Sequence, residues 1–348
     1  MMITESYLTY TVFALICLAL LTFPFVPAFR EWRYPTDFAA LPVSANYTSD
    51  VDHFSRRLHA DVAARLGTGD PTGYEDFDFV PAAPALMPWG KARKRLISRG
   101  SIESETPIHS VQPLYVQGAI RAAAKSAFPA LYATGDIDLG ADSEIADWAH
   151  AGGVLRLGAN SVALRRMSAG TAIELGSQAW FERLQAPALH FGARSTPVPP
   201  PAEAGQMPAS FADLPGAVQQ TPSLFLIRGD CVLGAGRIYR GSLVVTGLLT
   251  IGEGTTVTGD IKAREGLRMG ERAWVQGAVT CEKRIYMFKD TRAAGPVISE
   301  SDILIGASAV IGLPDGQTTV SARNIIVEEG VTVHGAIWAH EIGMVKPA

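Results

Sequence analysis

Three cysteines in 348 residues, Cys17, Cys231 and Cys281, are too few and too scattered for a disulfide framework or a CxxC metal site. Charge is scarce as well. Charged residues make up 18% of the chain and the net charge is −4, so no global electrostatic argument points to nucleic acid. The sequence has no Walker-type phosphate loop, no dinucleotide fingerprint and no zinc-ligand spacing. Nothing in it calls for a cofactor. Glycine, by contrast, is plentiful at 34 residues, and alanine and valine are common. That composition suits a slim β structure whose corners need residues tolerant of positive φ.

Long apolar runs are also missing, with one exception. Residues 7–29, from Tyr7 to Phe29, carry no charge and reach the roughly 20 residues that span a bilayer as a helix. Pro24 and Pro27 fall near the far end of the run, where they are expected to bend or end the helix rather than break its middle. Nothing basic precedes it and no small-x-small cleavage site follows it, which argues for a retained anchor over a cleaved signal peptide. Glu5 lies before the run and Arg30 and Arg33 after it, so the positive-inside rule places the C-terminal part in the cytoplasm, as in a single-pass protein of a cell inner membrane.

Residues 30–109 form a juxtamembrane region. Within 49–67, Ser49 is a candidate N-cap, Val51, Phe54, Leu58, Val62 and Leu66 recur at helical spacing, and Gly67 closes the pattern. This amphipathic helix could pack on the body of the protein, lie on the membrane surface or bind a partner, and packing is the expectation. Beyond a Gly/Pro/Asp-rich stretch, Lys91, Arg93, Lys94 and Arg95 cluster beside Trp89 and are candidates for contact with anionic lipid.

The rest of the chain keeps time. Leu233-Gly234, Ile251-Gly252, Met269-Gly270, Met287 and Ile305-Gly306 stand eighteen residues apart, with an aliphatic beat every six. Leu139-Gly140, Leu157-Gly158 and Leu175-Gly176 repeat the interval earlier. Alternation of two within each side means strands, and three short strands with a turn after each close a triangular coil. The fold class is therefore all-β, a parallel β-helix solenoid with about 18 residues per coil. Its first half is expected at 110–192, beginning near Ser110 and broken by an excursion at 121–135. The second half is expected at 224–345. The glycines at 241, 259, 277, 295 and 335 mark one recurrent corner, read as a positive-φ turn. The proline-rich stretch 193–223 is a loop or a linker; the eighteen-residue grammar resuming after it favours a loop on one continuous solenoid. Cys231 and Cys281 fall on apolar beats and read as small buried hydrophobes.

The run Leu249-Thr250-Ile251-Gly252-Glu253-Gly254-Thr255-Thr256-Val257-Thr258-Gly259-Asp260-Ile261-Lys262-Ala263 resembles the core of the bactofilins, bacterial polymer-forming cytoskeletal proteins. The resemblance covers the second half of the chain, and the first half only in rhythm. It implies a right-handed β-helix and end-to-end polymerisation without a nucleotide. It also implies a scaffold role in cell shape or envelope growth, with copies of itself, the membrane and cell-envelope proteins as partners. No nucleic acid and no small-molecule substrate is expected.

Two other readings share the rhythm. Hexapeptide acyltransferases also have eighteen residues per coil, on a left-handed β-helix, and would use a histidine; His150, His190, His334 and His340 are the candidates. An envelope-exposed, adhesin-like β-helix would follow if the apolar segment were cleaved or inserted the other way. Under the scaffold reading the C-terminal coil is an open end, and Trp338, Ile342, Met344 and Val345 are its candidate self-association residues.

Overall fold

A computed structural model describes residues 2–33, 51–68, 76–81, 86–194, 199 and 205–347. The chain divides into two units, 1–48 and 49–348. The first unit holds helix α1 (Met2–Thr22), a 3-10 turn (Phe23–Phe25) and helix α2 (Val26–Arg33). The membrane-spanning helix expected over 7–29 is thus corrected: α1 ends at Thr22, close to the two prolines expected to bend or end it. Pro24 has no N–H to donate to the preceding turn, and the α-helical ladder breaks there. Among the described residues no helix is long and apolar enough to cross a membrane. The apolar side chains of the segment, Phe13, Leu21 and Phe23 among them, are exposed.

In the second unit, helix α3 (His53–Thr68) precedes a continuous stack of short strands, a parallel β-solenoid of about 14 turns with roughly 18 residues per coil. The N-cap expected at Ser49 lies outside the described residues. The sequence folds this way because each side of a coil carries an alternating inward aliphatic. Leu96, Leu114, Leu131, Ala149, Met167 and Leu184 stack on one side, and Ile102, Ile120, Ile137, Leu155, Ile173 and Leu189 on the next. All are buried. Each such side chain contributes roughly 1.5–3 kcal/mol on leaving water.

The first solenoid starts earlier than its rhythm suggested. Phe77–Phe79 already pairs in parallel with Arg95–Ser98, which in turn pairs with Leu114–Val116. The expected excursion at 121–135 is also corrected: Ile120–Ala122 and Ala127–Ala133 are ordinary sides of the stack. The coil there is one residue short, Leu114 facing Leu131 and Ile120 facing Ile137, and this slip hides it from a strict period of eighteen.

The second solenoid likewise starts before 224. Met207–Ala209 pairs in parallel with Arg237–Tyr239, a 3-10 turn follows at Phe211–Asp213, and Ala217–Thr221 returns antiparallel to Leu224–Ile227. Phe211 seals this end, stacked on Tyr239 with ring centroids 5.0 Å apart.

The two solenoids do not run on from each other. The last strand of the first, Trp180–Phe191, pairs antiparallel with the last strand of the second, Thr332–Lys346. Trp180 faces Met344, Leu184 faces Ile337 and Leu189 faces Val333, so the pairing follows all three sides of the triangle. Two half-rods therefore meet C-terminal coil to C-terminal coil, and the direction of stacking reverses between them. Residues 193–206 are a linker between two solenoids; the expectation of a loop on one continuous solenoid is corrected. A chain of fourteen residues can span at most roughly 46 Å. The seven strand spacings from the strand of Phe191 back to that of Met207 need only roughly 34 Å.

The recurrent corner is also not where glycine pointed. Left-handed φ falls at Lys125, Asp142, Asn160 and Gln178 in the first solenoid, and at Gly236, Gly254, Arg272, Asp290 and Ser308 in the second. Of the expected glycine corner, only Gly241 and Gly335 have positive φ. Gly277 is there for a different reason: a Cβ on it would come within 2.6 Å of the Gly259 backbone in the coil beneath.

Candidate functional site

The junction is built around Phe181. Its ring is buried, lies 5.5 Å from that of Phe191, and occupies the space where a Cβ on Gly343 would stand. Backbone hydrogen bonds cross the seam at Gln178 N–H to the Val345 carbonyl and at Val345 N–H to the Ala179 carbonyl, both 2.9 Å. Trp338, Ile342, Met344 and Val345 all lie on the second strand of this seam. Val345 is fully buried, Met344 is paired with Trp180, and Trp338 lies under the Arg183 guanidinium, 3.7 Å from the ring centroid. The expectation that they form an open end is corrected, because the same chain already occupies that edge. Sequence periodicity reports that a coil exists; it carries no signal for which way a second solenoid is turned.

The four histidines serve the walls of the rod. His190 bonds Thr332 Oγ1 at 3.2 Å and His334 bonds the Pro187 carbonyl at 3.2 Å, both across the seam. His340 bonds Ser321 Oγ at 3.2 Å. His150 bonds Ser168 Oγ at 2.9 Å and stacks on Tyr132. Burial pushes the His150 and His190 pKa values down. The two carboxylates nearest in sequence pair with arginines, Asp147 with Arg165 and Glu341 with Arg323. Cys231 and Cys281 are buried, and burial pushes both thiols up, away from the thiolate form.

Helix α3 packs on the outer wall of the first solenoid, as its amphipathic pattern predicted. Leu58 and Val62 cover Phe77, Ile97, Tyr115 and Tyr132, which stand on successive coils. His59 bonds the Tyr115 hydroxyl at 3.1 Å. The basic cluster sits beside this helix and its four residues are exposed. Arg95 is engaged by Asp61 of α3 at 3.4 Å. Lys91 ends a 3-10 turn, Trp89–Lys91.

Further along the same wall, α3 overhangs a cavity of about 430 Å³. On its floor Trp148, Arg166 and Arg183 stand in register on three neighbouring strands. Phe54 of α3 lies over Arg166, 5.1 Å from ring centroid to guanidinium carbon. Nη1 of Arg166 is buried with no hydrogen-bond partner among the described residues. The Arg183 pKa is lowered, first by burial and then by the neighbouring Arg166 charge, with Glu182 opposing. Arg165, in the left-handed region at φ 59°, turns to Asp147 at 3.4 Å on the rim. Sequence reading missed this site, since its members come from four separate segments. The only available signal was the spacing of 148, 166 and 183 by about one coil.

No family model, no curated protein and no solved structure matches the chain.

Proposed function

We propose that this chain is a bactofilin-type scaffold, attached to a membrane by its apolar N-terminal segment, which assembles through the N-terminal edges of its two solenoids. The observation that carries the reading is the C-to-C seam. With both C-terminal coils consumed inside the chain, the strand edges left for assembly among the described residues lie at the starts of the half-rods: Phe77–Phe79 and Ile102–Ser104 in the first, and Met207–Ala209, Cys231–Leu233 and the Ala217–Thr221 hairpin strand in the second. The hairpin strand is exposed along nearly its whole length, and an unblunted edge of that kind is a template for a second copy. The exposed apolar side chains from Tyr10 to Phe29 support membrane attachment, and the exposed Lys91, Arg93 and Lys94 would add roughly 1 kcal/mol each on anionic lipid. Arg30 and Arg33 after the apolar segment support a cytoplasmic rod. Cell shape or envelope growth is the role the family resemblance suggests.

Sedimentation velocity of the detergent-solubilised full chain tests assembly. Association should grow with concentration and be suppressed in the Val218→Lys/Gln220→Lys variant, whose edge carries two like charges. A chain that stays monomeric throughout, or a variant that assembles as well as the parent, would sink the proposal.

A further inference from the structure

The cavity under α3 has features that wall packing does not account for. Arg166 and Arg183 are direct neighbours across one strand pair, about 4.8 Å apart at the backbone, so two like charges face one side of the wall. Each is held from one side by an aromatic ring, Arg166 by Phe54 and Arg183 by Trp338. Among the described residues no carboxylate forms an ion pair with Arg166. Asp147 is taken by Arg165, and Glu182 acts on Arg183. Three arginines against two carboxylates leave the lining at formal +1. An Arg166 nitrogen, buried and without a hydrogen-bond partner, is left as an unused donor there.

Two adjacent guanidinium forks present donors in the geometry that oxyanions accept. The volume falls within the range of small-molecule sites, and the Trp148 indole and Phe54 ring provide apolar wall for the rest of a ligand. We infer that this cavity binds a small phosphate-bearing molecule, its phosphoryl group between Arg166 and Arg183 and its body against Phe54 and Trp148. The inference does not rest on the scaffold reading: it concerns a ligand site on the side wall of the first solenoid, far from the edges proposed for assembly.

The test uses the full chain in detergent and two probes, inorganic phosphate and phenyl phosphate, titrated by calorimetry. Saturable binding of both is expected, phenyl phosphate the tighter, with Arg166→Gln and Arg183→Gln each weakening it about tenfold or more and Arg264→Gln, on the other solenoid, leaving it unchanged. Should the variants fail to fold, the parent protein still decides. Phosphate should slow modification of Arg166 and Arg183 by an arginine-directed dicarbonyl reagent, read by peptide mass, while Arg264 reacts at its usual rate. Absence of saturation by about 10 mM phenyl phosphate, equal binding in the glutamine variants, or unprotected Arg166 and Arg183 would overturn the inference.

Discussion

Phe181 and Gly343 are one feature written on two residues far apart in sequence. The phenyl ring fills the seam because the opposite strand has no side chain at that rung. Phe181→Ala should therefore cost about 3–5 kcal/mol, the usual range for emptying a large buried aromatic site. Gly343→Val should cost about 1–3 kcal/mol or more through overpacking. Urea unfolding measures both, and a double mutant less destabilised than the sum would confirm that they meet. His150 gives a pH signature. Its folded pKa lies below the ordinary 6.5 because it is buried under α3, with Asp52 opposing the shift and His59 adding to it. The unfolded chain thus binds the proton more readily. Its contribution to stability is complete above pH 6.5 and is lost as pH falls below that value toward the folded pKa. Melting temperatures at about pH 7.5 and pH 5.5 should differ less in His150→Gln than in the parent. An unchanged difference would remove His150 from the account.

At the scale of elements, α3 works as a strap over an aromatic wall. Val62 is fully buried against the coil side chains, so Val62→Asp places an unpaired carboxylate in an apolar contact. The expected cost is about 3 kcal/mol or more, seen as early proteolytic cleavage within His53–Thr68 while the strands stay protected. This helix was legible in the sequence because its apolar residues recur at helical spacing and its own amphipathicity is enough to place it. The coils were legible for the same reason: inward aliphatics alternate, and the wall repeats. Three things were not. The slip between Leu114 and Leu131 breaks the period by one residue, which a fixed-interval reading takes for an insertion. The left-handed corner is held by Asp142, Asn160, Arg272 and others, so glycine was a poor marker for it. Glycine tracked close approach between coils instead. The cavity at Arg166 was invisible because its parts converge only when coils stack and α3 folds back.

For the whole molecule, the decisive feature is the reversal at Trp180–Phe191 against Thr332–Lys346. A single continuous solenoid would have one N-terminal and one C-terminal end and would grow head to tail. Two solenoids joined at their C-terminal coils present an N-terminal edge at both ends of the rod. The two ends differ in sequence, so if the chain assembles through these edges, as proposed, charging the hairpin strand weakens association through that end alone. Pairing on all three sides of the triangle also makes the seam continuous with the core, since Leu184, Leu189 and Phe191 bury there with Val333, Ile337 and Val345. Cleavage of an engineered protease site in the 195–204 linker should leave the two halves together in size-exclusion chromatography. Separation on cutting would mean that the linker, not the seam, holds them.

The reversal is tested most directly by one distance. Spin labels at Glu103→Cys and Val232→Cys, in a background with Cys17, Cys231 and Cys281 replaced by alanine, report on exposed positions in early coils of the two solenoids. With the halves joined C-terminal coil to C-terminal coil, eleven rungs separate the labels, and pulsed electron spin resonance should give a distribution centred near roughly 55 Å. A distribution centred near roughly 30 Å, the six rungs of a solenoid that simply continues past the proline-rich segment, would contradict the account.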